Sequence, residues 1–378
     1  MNIPFLDLDA AVAELRDGID SAVARVLSSH QFVLGEEVER FEQAWAAFCG
    51  AEHAIGVGSG LDALFLALHA LGIGPGDEVI VPSHTFIATW LAVSHLGALP
   101  VPVEPRTDTC NLDPEGLERA ITRRTRAIVP VHLYGQSAEL DPILAVARRN
   151  GLLVVEDAAQ AHGARYRGRR IGAHADAVAW SFYPGKNLGA VGDAGAVTTR
   201  HSEVALRIRK LRNYGSTRKY IHDCRGFNSR MDPMQAAVLG VKLEHLDRWN
   251  QHRSALAARY SERLREVADD VGLHLPVVHP HATPVWHLYT VRHPLRDQLL
   301  ELLRNAGIET LVHYPIPPHR QAAYAAMQLP RGALPRAEIL ADSIMSLPIG
   351  PHLPLADVDR VADALLDALR QTADAGAP

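Results

Sequence analysis

The chain has 378 residues, 47% hydrophobic and 21% charged, a composition that excludes a disordered protein and leaves room for two domains, or one large and one small. A net charge of −5, from 38 basic and 43 acidic side chains, gives no electrostatic reason to expect nucleic acid or an anionic membrane as partner. Three scattered cysteines, Cys49, Cys110 and Cys224, argue against a disulfide framework or a C-x-x-C site and suit a reducing cytoplasm, and the start M-N-I-P-F-L-D-L shows no secretory pattern.

From Ala54 to Thr199 short apolar runs alternate with amphipathic stretches, which predicts an α/β domain with a mainly parallel sheet. The expected strands are Ala54–Val57, Glu78–Val81, Leu99–Val103, Ala127–His132, Leu152–Val155, Ala177–Phe182 and Gly195–Thr199. Helical spacing is expected over Leu61–Leu71, Thr85–Leu96, Pro114–Ile121 and Asp141–Asn150. The uncharged stretch from Val79 to Val103 holds Pro82, Gly97, Pro100 and Pro102, and reads as a strand end, a buried helix and a second strand, not a membrane span. After His201 the pattern turns helical, with Ser202–Leu211 and a long run from Asp232 through Glu266. A domain boundary is expected inside that run, between His245 and Arg253, dividing residues 1–248 from a small α+β domain at 249–378. That second part reads as strand Trp286–Val291, helix Leu295–Ala306, strand Thr310–His313, and helices Arg336–Ile344 and Leu355–Thr372, ending in a frayed A-D-A-G-A-P.

Ligands of such sheets sit at the carboxyl ends of the strands, and the chemistry-bearing motifs fall there. Lys186 lies in S-F-Y-P-G-K-N-L-G, a glycine-bearing turn after an apolar run, and Asp157 of V-V-E-D-A-A-Q-A-H-G-A lies 29 residues upstream. A lysine so held can form an imine, and a carboxylate at a strand end can keep a pyridine nitrogen protonated, so the pair reads as a pyridoxal phosphate site. Singly, Lys186 also fits a solvated lysine and Asp157 a helix cap. In G-V-G-S-G-L-D-A-L the glycines Gly58 and Gly60 and the Ser59 hydroxyl precede a helix whose N-terminus favours a phosphate. A dinucleotide fingerprint fails because Leu61 stands at the last glycine position, and a Walker loop fails because Asn187 follows Lys186. Phe86 of P-S-H-T-F-I-A-T could cover a flat ring, or simply pack in the core; Gln160 could donate to a phenolic oxygen, or cap a loop. The 20 histidines show no H-E-x-x-H or close ligand cluster, so no metal site is expected.

Together V-G-S-G-L-D-A-L, H-T-F-I-A-T, E-D-A-A-Q-A-H-G-A, S-F-Y-P-G-K-N-L-G, G-D-A-G-A-V, N-Y-G-S, N-S-R-M-D-P-M-Q-A-A and H-Y-P-I-P-P-H resemble the DegT/StrS family of nucleotide-sugar aminotransferases, in order from Phe5 to near Pro351. The resemblance implies the fold-type I aminotransferase fold and pyridoxal 5′-phosphate joined to Lys186, with Asp157 on the pyridine nitrogen, Phe86 stacked on the ring and Gln160 beside the phenolic oxygen. Ser59, Gly60 and Ser181 would hold the phosphate, with Leu61 standing where many members have threonine and leaving more of the binding to backbone amides. Trp180, where phenylalanine is usual, would concern packing. The family forms homodimers with shared active sites, in which Asn228 would reach the phosphate of the partner subunit. Related sugar dehydratases carry histidine in place of the lysine, so Lys186 implies amino transfer. The substrate pocket implied is Tyr183, Lys219, Tyr220, His222, Arg230, Tyr314 and His319, where Lys219 or Arg230 would pair with a diphosphate or a donor carboxylate. G-L-D-A-L, P-V-H-L-Y-G and N-Y-G-S-T-R-K-Y most resemble enzymes that transfer an amine from L-glutamate to C3 of a TDP-3-keto-6-deoxyhexose, as in desosamine and mycaminose pathways. Amination at C4 of a 4-ketosugar, and a non-catalytic regulatory protein that binds the same coenzyme, stand as alternatives.

Overall fold

The computed structural model describes residues 2–375, and the last part of the terminal A-D-A-G-A-P lies outside them. All seven expected strands form: β1 (His53–Val57), β2 (Glu78–Pro82), β3 (Leu99–Val103), β4 (Thr125–Ile128), β5 (Leu153–Asp157), β6 (Ala177–Ser181) and β7 (Gly195–Thr199). They share one sheet in the order β1-β7-β6-β5-β4-β2-β3. Of the seven, β7 alone runs against its neighbours, pairing antiparallel with both β1 and β6. The strands read as unbroken apolar runs because both faces are covered. Alternate residues go to different layers: Ala177 and Ala179 pack in one apolar core, Val178 and Trp180 in another. Trp180 is fully buried, stacks edge-on against Trp45 at 4.9 Å and donates its indole N–H to Thr198 Oγ1 at 2.9 Å.

Three N-terminal helices that no motif announced precede the sheet: α1 (Leu8–Glu14), α2 (Arg16–Ser29) and α3 (Glu36–Cys49). α3 buries Val38, Phe41, Trp45 and Cys49 along one stripe against the sheet. Next come α4 (Gly60–Ala70) and α5 (Ala88–His95). α5 starts three residues later than its spacing suggested, because residues 83–87 form a turn at the end of β2. The expected helix Pro114–Ile121 is a 3₁₀ turn, Pro114–Gly116, followed by only one turn of helix, α6 (Leu117–Ala120). α7 (Leu140–Asn150) and α8 (Ser202–Leu211) follow, the latter with the expected bounds.

The long helical run is two helices, α9 (Pro233–Leu243) and α10 (Leu246–Ala268), separated by Glu244 and His245. α10 passes from one core to another, since Leu246 packs with the sheet-side cluster whereas Leu256, Tyr260 and Leu264 pack with the C-terminal one. We propose the domain division along this helix, at 248/249. Ile3 joins the C-terminal core and pairs with Ile308, so the first residues travel with the second body, not the first. That body holds β8 (Tyr289–Arg292), α11 (Arg296–Asn305), α12 (Pro335–Ser343), β9 (Ile344–Leu347) and α13 (Leu355–Ala375). Thr310–His313 is not a strand: it makes a single bridge, Leu311 to Ser346, and the partner of β8 is β9. All four residues of β9 are buried, so the segment lacks the alternation that marks a half-exposed strand, and Ile344 belongs to it and not to the preceding helix.

Candidate active site

The site gathers at the carboxyl edge of the sheet. Asp157 ends β5 and is 5% exposed. Its Oδ2 accepts a hydrogen bond from Thr89 Oγ1 at 2.8 Å and its Oδ1 accepts from the Ala159 N–H at 3.2 Å. Burial pushes the Asp157 carboxyl up, while Thr89, Ala159, Lys186 and His132 act in the opposite direction. Lys186 follows β6 in a turn closed by its own N–H to the Tyr183 carbonyl at 2.8 Å. Its side chain is surrounded by protein yet keeps part of its surface open, and crowding pushes its ammonium down to about 8 while Asp157 favours the charged form. Among the described residues its amine has no hydrogen-bond partner. A buried amine of this kind is poised as a nucleophile and proton carrier near neutral pH. His313 is pushed down to about 4 by burial and by Lys186, and His287 is held low by the same two causes, so the imidazoles around the lysine are neutral.

Opposite the lysine turn, the N-terminus of α4 forms a cradle. Ser59 is its cap, accepting from the Asp62 N–H at 3.1 Å, which leaves the hydroxyl proton free to be donated. A Cβ on Gly60 would sit 2.5 Å from the Ser181 Cβ, and one on Gly195 would sit 2.2 Å from the Ser59 carbonyl oxygen. Glycines at these two places therefore let Ser59, Gly60 and Ser181 converge, and an anion there would meet backbone N–H groups, two hydroxyls and the helix dipole. Leu61 turns its side chain toward the core beneath α4 and offers only backbone.

Gln160 is fixed on both ends: its Oε1 accepts from the Tyr134 N–H at 2.6 Å and its Nε2 donates to Tyr314 Oη at 3.0 Å. The Phe86 ring is 54% exposed and tilted against Tyr314 at 5.5 Å, leaving a free aromatic face. Thus Lys186, Asp157, Gln160, Phe86 and Tyr314 form one group. The remaining expected substrate residues, Tyr183 excepted, stand apart in the single chain. Lys219 lies over the Tyr220 ring at 5.2 Å on a short exposed hairpin, Ser216–Arg218 with Ile221–His222, where His222 Nδ1 bonds the Tyr214 carbonyl at 2.9 Å. Arg230 donates to Asn213 Oδ1 at 3.0 Å, and exposed Asn228 pairs with the same Asn213. Tyr183 is 60% exposed beside the lysine turn. His319 is buried and bonded to Glu338 at 3.1 Å, so its ring serves the fold around α12 instead of facing an open pocket.

Several contacts were not foreseen. His162 Nε2 bonds the Ser181 carbonyl at 2.8 Å, and burial pushes its imidazole down to about 3, so it props the strand end as a neutral donor. Asn187 donates to Asn250 Oδ1 and to the Val285 carbonyl, both at 2.9 Å, and lies 3.1 Å from His287 Nδ1, tying the lysine turn to α10. Thr89 lies inside H-T-F-I-A-T, where only the helical spacing marked it.

A profile of the DegT/DnrJ/EryC1/StrS aminotransferase family matches residues 14–366. The chain is 59% identical over 363 residues to dTDP-3-amino-3,4,6-trideoxy-alpha-D-glucose transaminase of Streptomyces venezuelae, covering 96% of this chain and 95% of that protein. The crystal structure of S. venezuelae DesV in complex with a ketimine intermediate superimposes with a TM-score of 0.95 at 58% identity, covering 97% of this chain and 98% of that one. NtdA of Bacillus subtilis with bound cofactor PMP superimposes with a TM-score of 0.90 at 32% identity, covering 98% and 85%. The chain belongs to the DegT/DnrJ/EryC1/StrS family of pyridoxal-phosphate-dependent aminotransferases.

Proposed function

We infer that this chain is a pyridoxal phosphate aminotransferase that moves an amino group from L-glutamate to C3 of a TDP-3-keto-6-deoxyhexose in deoxyaminosugar biosynthesis. The observation that carries the cofactor assignment is the buried Lys186–Asp157 pair beside a cradle too tight for any side chain at Gly60 or Gly195. The identity to the S. venezuelae transaminase supports C3 over C4 as the position aminated. When bound, pyridoxal phosphate supplies an aldehyde for amine exchange and a ring that accepts electron density from a carbon–hydrogen bond.

The chain's own residues do the rest. Lys186 Nζ would hold the coenzyme through its aldehyde and, as a free amine, would serve as the base that takes up and returns the proton during amine exchange. Its lowered basicity makes the free amine available near neutral pH. Asp157 would keep a proton on the ring nitrogen, which is what would give the ring its pull on electrons. Ser59, the Gly60 N–H and Ser181 would hold the phosphate, Phe86 would cover one ring face, and the second Nε2 proton of Gln160, not used by Tyr314, would be available to the phenolic oxygen. Tyr183, Tyr314 and the hairpin residues Lys219, Tyr220 and His222 are assigned to the sugar nucleotide, with Arg230 and Lys219 as the cations for phosphate or carboxylate. His319, bonded inside the fold, acts at most through the loop it anchors.

We further read the molecule as a homodimer in which exposed Asn228 is turned to the second copy's phosphate. Leu27, Phe32, Val33 and Val191 expose large apolar side chains that a second copy would cover. Sedimentation at micromolar concentration is expected to give twice the chain mass. No helix among the described residues is long and apolar enough to cross a membrane.

One experiment tests the whole reading. Reduction of the coenzyme-loaded protein with borohydride should leave the pyridoxyl mass on the peptide carrying Lys186, and incubation with L-glutamate and a TDP-3-ketosugar should give a product whose NMR places the nitrogen on C3. A glutamate-inert visible band would favour a regulatory protein, and nitrogen on C4 would favour the other regiochemistry.

A further inference from the structure

Asp157 sits at the end of a hydrogen-bonded chain that the assigned chemistry does not use. Thr89 Oγ1 donates to Asp157 Oδ2 at 2.8 Å and lies 2.9 Å from Thr85 Oγ1. All three side chains are buried, with Thr85 at 2%, Thr89 at 1% and Asp157 at 5% exposure. The geometry fixes the direction of the chain. A carboxylate can only accept, so the single hydroxyl proton of Thr89 goes to Asp157; Thr89 is then the acceptor in its contact with Thr85, and Thr85 the donor. Successive hydroxyls aligned in this way polarise one another, and away from water the polarisation is not screened.

The arrangement is costly unless it has a use. Thr85 and Thr89 are four residues apart, at the entry and in the first turn of α5, and nothing in helix formation requires hydroxyls there. An apolar β-branched residue at position 89 would fill the same space, and the backbone N–H of Ala159 already serves the other carboxylate oxygen.

We propose that Thr89, backed by Thr85, is a positioning residue that holds Asp157 as an oriented carboxylate and so sets how completely the ring nitrogen is protonated. This rests on the cofactor reading above. Thr89 occupies one oxygen from the α5 side and Ala159 the other from the chain itself, so the carboxylate cannot rotate and its remaining lone pairs have one direction left in which to act. With the Thr89 donor removed, the carboxylate is less stable as an anion in its buried site and draws the ring proton toward itself. The ring then carries less positive charge, so Lys186 Nζ, joined to the coenzyme, holds its own proton more tightly.

The test is a pH titration of the visible band of the coenzyme-loaded protein in Thr89→Val, Thr89→Ser and Thr85→Val, alongside the stopped-flow rate with L-glutamate and the melting temperature. In Thr89→Val the midpoint of the band should rise by about one pH unit, the effect of losing one hydrogen bond to a charged group. The glutamate half-reaction should slow about tenfold, while KM for the ketosugar stays within twofold. Thr89→Ser should restore the wild-type midpoint, and Thr85→Val should shift it in the same direction by less. A Thr89→Val protein that melts lower yet keeps the wild-type midpoint and half-reaction rate would reduce Thr89 to a packing residue and overturn the proposal. Should the wild-type protein show no visible band and no borohydride label on Lys186, the cofactor reading itself would fall, a result distinguishable from the first. If Thr89→Val does not fold, Thr85→Val alone decides: an unmoved midpoint there rejects the relay.

Discussion

Replacing Asp157 with Asn separates its chemical from its structural role. The amide has the carboxylate's shape, and the polar network can be satisfied again: the amide oxygen accepts from the Ala159 N–H, the NH₂ group donates to Thr89 Oγ1, and the Thr89 proton swings to Thr85. The substitution also removes a buried charge that burial disfavours. Stability should therefore change by no more than about 1 kcal/mol. The attraction between the carboxylate and a protonated ring nitrogen is lost outright. For two unit charges about 4 Å apart at an effective dielectric of about 20 that attraction is about 4 kcal/mol. Without that attraction the ring nitrogen holds its proton less tightly by about three pH units, at 1.4 kcal/mol per decade, so with the protonated ring as the reactive form the deamination of glutamate slows by up to about a thousandfold. A single-turnover stopped-flow measurement with saturating L-glutamate reads the rate, and a urea melt of the same preparation reads stability. A rate within tenfold of wild type in a well-folded Asp157→Asn protein would refute the reasoning, and so would a melt displaced by several kcal/mol with no specific loss of rate per bound coenzyme.

Other consequences follow from the same geometry. In the coenzyme-free protein, labelling of Lys186 by a small amine-selective reagent should show a midpoint near pH 8 instead of 10.5, rising with pH as the ammonium gives up its proton. Asp157→Asn should move that midpoint lower still, because the carboxylate is the group that favours the ammonium; an upward movement, read by peptide mass, would reverse the assigned sign. Gly195→Ala places a methyl 2.2 Å from the Ser59 carbonyl and should cost about 1–3 kcal/mol while weakening coenzyme affinity, and unchanged values in a urea melt and a fluorescence titration would contradict the close approach. Ser59→Ala removes both the cap of α4 and a phosphate donor, so about 1 kcal/mol of stability and several-fold in coenzyme affinity should go together, with Ser59→Asn recovering the first but not the second.

The sequence carries the sheet well because a parallel sheet covered on both faces reads as unbroken apolar runs. It carries Lys186 and Asp157 because each follows such a run at a place where side chains must face the ligand edge. Thr89 was not readable in the same way. Its contact with Asp157 joins the helix after β2 to the end of β5, 68 residues away, and depends on strand order, which periodicity does not contain. His313 is hidden for a related reason: the segment holding it reads as a strand, yet forms one bridge and spends its polar atoms on Tyr134 and Ser346, while the neighbouring Tyr314, expected at the substrate, bonds Gln160. In α3 the apolar positions Val38, Phe41, Trp45 and Cys49 do have helical spacing. That helix was legible in principle.

The cradle of Ser59, Gly60 and Ser181 shows what strand order adds to composition. G-D-A-G-A-V reads as an ordinary turn entering a strand, and nothing local says that Gly195 must lack a side chain. In the fold, β7 is reversed between β1 and β6, so its first residue lies at the carboxyl edge of both neighbours, opposite Val57 on one side and Ser181 on the other. A parallel strand in that place would have its first residue at the far edge of the sheet, away from the site. The reversal brings the Gly195 backbone beneath the Ser59 carbonyl, where a methyl group has no room, and it sets Ser181 against Gly60. One antiparallel strand in an otherwise parallel sheet thus joins the turn after β1 to the end of β6, uniting the N-terminus of α4 with the strand that leads to Lys186.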